Sequence, residues 1–160
     1  MASWTILPLT RELRTFDQSL PGRLLKAREA VMRKFLPALR EHDLSPQQWR
    51  VLRALAETEQ MDASELADRC SILLPSLSRI LSNLDGRKLI TRKPCDKDQR
   101  RSLVSISARG RGLVKKIAPH SEERYDYITQ RFGAENMTQL YELLGDLIEC
   151  MEEEQAGSGE

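Results

Sequence analysis

The sequence predicts a mainly α-helical chain with one small β-hairpin, arranged as a winged helix-turn-helix between long helices at either end. Three observations predict it. Two short helical segments over residues 62–86 are followed by strand-like runs at 89–93 and 102–107. Arg87 to Lys116 holds eleven Lys or Arg against two Asp, a local net charge of +9 in a chain whose formal net charge is +1. Apolar residues at helical spacing then mark 21–42, 108–132 and 135–153, outside that module.

Each element has a local cause. Asp62 stands three residues before Glu65, the spacing of a capping box in which each side chain satisfies a free backbone N–H. That short helix runs out near Cys70. Pro75 suits the first position of the next helix, where its missing N–H costs nothing. Leu77, Ile80, Leu81 and Leu84 form one apolar stripe, and Gly86 marks the expected exit. Leu89–Lys93 and Ser102–Ser107 read as strands, joined through Pro94 and the polar run Asp96-Lys97-Asp98-Gln99.

The reverse face of the second helix carries Ser76, Arg79, Ser82 and Asn83. Short polar side chains let a helix backbone approach base edges, and an arginine can bond guanine through two parallel N–H groups. Read alone, this is also the face of an ordinary solvated helix; the basic hairpin after it tips the reading. A concentration of positive charge on a balanced chain is the footprint of a polyanion. Asp98, two residues before Arg100, is placed to aim that guanidinium at a minor groove, where negative potential is strongest. The residues expected at double-stranded DNA are Pro75, Ser76, Ser78, Arg79, Ser82 and Asn83 on the helix, with Arg92, Lys93, Lys97, Asp98, Arg100 and Arg101 on the hairpin.

The 160 residues, 40% hydrophobic and 31% charged, are those of a soluble, helix-rich protein. No stretch approaches the roughly 20 apolar residues of a membrane span, so no membrane partner is expected. No signal peptide is visible. Cys70, Cys95 and Cys150 show no paired spacing, and with two histidines a zinc site is not expected. A reducing cytoplasm is the simplest compartment. No Ser/His/Asp set or phosphate-cradling glycine loop suggests an enzyme.

The flanks complete the plan. Residues 1–42 read as an N-terminal dimerisation segment and helix, with Pro37 as a bend; Trp4, Ile6, Leu7 and Leu9 are apolar enough to pack, and a tag-like disordered end is the equal alternative. Residues 43–108 are the winged helix-turn-helix; Ser45, Pro46 and Gln48 open its first helix as cap, first residue and closing partner. Residues 109–153 read as C-terminal dimerisation helices, bent at Pro119, and 154–160 as a disordered tail. The stripes on these helices exceed what one module can cover, and a helix-turn-helix reads two half-sites best as a symmetric pair. Residues 122–160 carry eleven Asp or Glu against two Arg, a net −9 that keeps this end away from DNA. A homodimer on a pseudo-palindromic operator is the expected assembly.

At this point the chain resembles the MarR family of winged-helix transcription regulators. Asp98-Gln99-Arg100-Arg101, then Leu103-Val104-Ser105-Ile106-Ser107 and Gly110, match the family's wing pattern. Leu25-Lys26-Ala27-Arg28-Glu29-Ala30, Gln47-Gln48-Trp49-Arg50, Met61-Asp62, Ile72-Leu73, Pro75-Ser76-Leu77 and Lys93-Pro94 are similar to one branch, which regulates homoprotocatechuate (hydroxyphenylacetate) degradation. The resemblance implies a dimeric repressor of aromatic-acid catabolism, with no cofactor, released from DNA by a small phenolic carboxylate. It implies a ligand set of Arg23, Arg28, Phe35, His42 and Trp49. An arginine would clamp the carboxylate, Phe35 and Trp49 would stack on the ring, and His42 would bond a phenol hydroxyl. Phe35 and Trp49 also sit on apolar stripes, as core residues do, and His42 also suits a helix C-terminus. Two other regulators fit the residues: a redox sensor using Cys70 or Cys95, beside Arg69 or Lys93 and Lys97, and a winged-helix protein–protein module.

Overall fold

A computed structural model of the chain describes residues 14–95 and 101–157, the last four as backbone. Residues 1–13, with Trp4, Ile6, Leu7 and Leu9, lie outside it. So do Lys97, Asp98 and Arg100 of the expected DNA contacts. After a 3-10 turn at Phe16–Gln18 come α1 (Leu20–Arg40), α2 (Pro46–Ala56), β1 (Met61–Asp62), α3 (Ala63–Cys70) and α4 (Leu74–Gly86). Then follow β2 (Ile90–Pro94), β3 (Ser102–Ile106), α5 (Ala108–Phe132) and α6 (Ala134–Gly157). This is the mainly helical winged fold read from the sequence.

The helix starts obey the sequence. Ser45 accepts from the Gln48 N–H while the Gln48 side chain accepts from the Ser45 N–H. Asp62 and Glu65 close the same box ahead of α3. α4 differs: its cap is Leu73, without a side-chain bond, and Leu74 precedes Pro75 inside the helix.

The helix ends follow a rule that glycine counting misses. Asp43, Ser71 and Lys88 adopt left-handed backbone at φ 52°, 48° and 59°. Each is followed by a buried apolar residue whose N–H reaches back five residues: Leu44 to Leu39, Ile72 to Ala67, Leu89 to Leu84. These are Schellman endings, closed by a hydrophobic contact. Gly86, expected as the exit, is instead the last helical residue of α4, and Lys88 makes the left-handed turn.

The three strands pair antiparallel in the order β1-β3-β2, with Met61 opposite Val104 and Ile90 opposite Ile106. Two residues are too few for β1 to register as a strand in the sequence, yet they bind the wing to the entry of α3. Leu52, Leu55, Leu66, Leu81, Leu84 and Val104 fill the core between helices and sheet. Gly110 lets α5 approach the wing root: a Cβ there would lie 2.1 Å from the Leu89 carbonyl oxygen. α5 then runs back past α2 to α1, and Pro37 and Pro119 are carried inside α1 and α5. α6 extends to Gly157, beyond the residue 153 at which the sequence suggests a tail.

Asp62 joins these parts. Its buried carboxylate accepts the N–H groups of Ser64 and Glu65 and pairs with Arg101 at the wing root. The Glu65 N–H most of all, then Arg101 and the Ser64 N–H, hold its pKa below the usual carboxylate range, against the opposing effect of burial. A depressed folded pKa gives stability that is present above the unfolded value and lost as pH falls through the folded one. Asp62→Asn keeps a good cap but removes the charge. Melting curves from neutral to acid pH are therefore expected to show the wild type above Asp62→Asn near pH 7 and the gap closing as pH falls below the usual carboxylate range. A gap that does not change with pH contradicts this role.

Candidate nucleic-acid interface

α4 lays its apolar stripe on the core, with Leu77, Ile80, Leu81 and Leu84 buried, and turns Pro75, Ser76, Ser78, Arg79, Ser82 and Asn83 to solvent. Two of these have partners already. The Ser82 hydroxyl donates to the Ser78 carbonyl (3.0 Å), which leaves its lone pairs outward. Asn83 Oδ1 accepts from Gln48 Nε2 (2.8 Å), so its amide N–H groups remain. Arg79 projects free of any ion pair among the described residues. On the wing, Arg92 and Lys93 are exposed on β2. Arg101 is spread between two tasks, since its guanidinium holds Asp62 while more than half of its side chain stays exposed.

The C-terminal end of α4 is fastened to the corner between α1 and α2. Arg87 donates to the carbonyls of Asp43 (2.8 Å) and His42 (3.0 Å), and Gln48 holds Asn83. His42 therefore contributes its carbonyl to this joint.

On the other side of α2 lies a cavity of about 360 Å³ between α1, α2 and α5. Of the predicted ligand set, Arg28, Phe35 and Trp49 line it. Arg23, exposed in the first turn of α1, and His42, in the turn after α1, do not. Sequence reasoning missed Arg50, Arg53, Arg69 and Tyr125, which line it too. Phe35 and Tyr125 stack tilted, with centroids 5.2 Å apart and planes at 60°. The four arginines differ in what they already bind. Arg28 pairs with Glu29 (2.6 Å), Arg69 pairs with Glu57, and Arg50 donates to the Cys70 carbonyl (2.6 Å). Among the described residues Arg53 makes only a long 3.5 Å contact with the Tyr125 hydroxyl.

Cys70 is buried beside this cavity. Burial pushes its thiol pKa up, and the nearby charges of Arg50 and Arg69 offset only part of that. A raised pKa means little thiolate, so the basic neighbours seen in the sequence do not activate it. Cys95 is half-buried at the wing, where its N–H donates to the Arg101 carbonyl (2.9 Å).

The MarR family model matches residues 42–101, the span from the α1–α2 corner to the wing root. The homoprotocatechuate degradative operon repressor of Escherichia coli is 42% identical over 130 residues, which cover 81% of this chain and 88% of that protein. The chain belongs to the MarR family. The family and branch indicated by residues 24–110 are thus the ones found. MarR proteins are DNA-binding transcription regulators and not enzymes, and this chain is one of them. The structure of NadR in complex with 4-hydroxyphenylacetate superposes with a TM-score of 0.73 at 38% identity, covering 85% of this chain and 96% of NadR. That of CouR, a transcriptional repressor bound to a 23-mer DNA duplex, superposes at 0.75 and 26% identity, covering 86% and 99%. No helix among the described residues of this MarR protein is long and apolar enough to cross a membrane.

Proposed function

We propose that this protein is a homodimeric repressor of an aromatic-acid catabolic operon, released from a pseudo-palindromic operator by a phenolic carboxylate bound between α1, α2 and α5. The observation that carries the effector is the state of Arg53. Among the described residues it is the guanidinium in the cavity wall without a strong partner, and it sits next to a tyrosine hydroxyl and aromatic faces. A carboxylate takes such a guanidinium through two charge-assisted bonds, while Phe35, Trp49 and Tyr125 sandwich a ring. The branch relationship and the 4-hydroxyphenylacetate held by NadR point to the same ligand class.

Dimerisation is supported by the helices outside the module. Leu20, Leu24, Leu25 and Val31 on α1, and Leu140, Tyr141, Leu143 and Ile148 on α6, are exposed in the single chain. Exposed apolar residues in such number on two long helices belong in an interface. The division into 1–42, 43–108 and 109–153 serves it: both ends associate and the middle binds DNA. Such a protein works in the cytoplasm, beside the DNA.

Release follows from the joint behind α4. A ligand that prises α1 from α2 moves the corner carrying His42, Asp43 and Gln48, and through Arg87 and Asn83 it moves α4. It must bind that altered state better than the DNA-competent one, since equal affinity shifts nothing. A hundredfold loss of operator affinity needs about 2.7 kcal/mol of coupling.

The test is a melting-temperature series with 4-hydroxyphenylacetate, benzoate, a phenol lacking the carboxylate, and an aliphatic acid. A ligand at about 100 times its Kd stabilises the folded form by about 2.7 kcal/mol. The aromatic carboxylates should raise Tm by roughly 5–10 °C and the other two should not. Equal response to all four, or to none, counts against the effector.

A further inference from the structure

We propose that Leu73 and Leu74 are specificity-determining residues that read thymine methyl groups in the major groove. This rests on the reading of α4 as the groove-entering helix. Leu73 is 79% exposed and Leu74 52%. Neither position has a folding reason to be leucine. The core around them is already filled by Ile72 and Leu77, both buried. Leu73 occupies the cap of α4 and offers no side-chain bond to the free N–H groups there. Ser, Asp or Asn in its place would supply that bond.

Their place in the helix says what they meet. In a helix-turn-helix the N-terminal residues of the second helix contact base edges. Helical spacing sets Leu73 in line with Ser76, and Leu74 in line with Ser78 and Ser82. These are the exposed faces that also carry Arg79. The leucines are thus the leading edge of the surface that faces the bases. Base edges in the major groove are mostly donors and acceptors, and the C5-methyl of thymine is their one apolar group of any size. That methyl is the group on DNA against which a leucine can be desolvated without stranding a polar atom. A cytosine at the same place carries a C5 hydrogen where thymine carries the methyl, so the leucine loses that apolar contact. The pair therefore favours thymine, next to whatever base Arg79 bonds.

The test replaces one methyl at a time. A duplex is selected from a randomised pool with the wild-type protein, then resynthesised with deoxyuridine for each thymidine in turn. Pairing is kept and only the methyl is lost. At one or two positions per half-site the wild type should bind roughly three- to fourfold more weakly, the worth of one buried methyl group. Leu73→Ala/Leu74→Ala should bind the thymidine and deoxyuridine duplexes alike, while Leu73→Met keeps the discrimination. Both leucines are exposed, so melting temperatures should stay close to wild type. The proposal is overturned if no thymidine shows a methyl effect, if the effect survives in the double alanine variant, or if that variant alters self-association and leaves discrimination intact. Failure to select any duplex would instead sink the DNA-binding reading itself.

Discussion

Gly110→Ala should be among the most damaging single substitutions in this chain, although it adds one methyl group to a helix. In an open helix the change gains up to about 1 kcal/mol, because alanine is the better helix former. Here the new Cβ would sit 2.1 Å from the Leu89 carbonyl oxygen and 2.8 Å from Ile106 Cγ1. The oxygen is backbone and accepts from the Ser107 N–H (3.0 Å), and the Ser107 hydroxyl donates to the Lys88 carbonyl (2.8 Å). Nothing there yields as a flexible side chain would. Overpacking costs typically about 1–3 kcal/mol, and a rigid neighbour puts this case at the upper end. The loss should appear as a Tm lower by roughly 5–10 °C. Because the clash lies at the wing root, DNA affinity should fall as well. Gly112→Ala is the control: a Cβ there meets nothing within 4 Å, so stability should hold or rise slightly. Equal effects at the two glycines would show that α5 does not approach the wing as described.

Arg53→Ala should remove the response to aromatic acids while leaving operator binding in place. Arg53 lies on α2, on the cavity side, and not among the exposed residues of α4 or the wing. A charge-assisted hydrogen bond is worth about 1.5–3 kcal/mol, so ligand affinity should fall by roughly 10- to 150-fold. Arg53→Lys should recover only part of it, because an ammonium does not reproduce the two-pronged match to a carboxylate. Arg28→Ala should cost less, since that side chain is already paired with Glu29. Isothermal titration and operator release, measured on the same preparations, separate the two activities. If Arg28→Ala proves the more damaging, the assignment of the carboxylate clamp is wrong.

The sequence made the module legible because its signals are local. The Ser45–Gln48 and Asp62–Glu65 boxes, the stripe of α4 and the basic hairpin all lie within a few residues of one another. What it hid were features that depend on distant partners. Glycine is the usual mark of a helix end, so endings at Asp43, Ser71 and Lys88 leave no trace except the buried residue after each. β1 is two residues long and exists only because β3 lies beside it. The cavity is assembled from α1, α2 and α5, so Tyr125 meets Phe35 across 90 positions of sequence. Charge counting also could not tell that Arg101 serves Asp62 from within the fold, or that Arg50 is bonded to a backbone carbonyl and Arg53 is not. Leu73 and Leu74 precede Pro75, the expected first residue of that helix, and their exposure shows only in the fold.

The most direct measurement is sedimentation of the protein with a labelled, selected duplex, across a salt series and with or without 4-hydroxyphenylacetate. Two chains should travel with each duplex. Affinity should fall by roughly 10³ or more between about 50 and about 200 mM salt, as several phosphate contacts require. Adding the aromatic acid should free the duplex at a salt concentration where the complex otherwise holds. One chain per duplex, or binding indifferent to both salt and acid, would contradict the account.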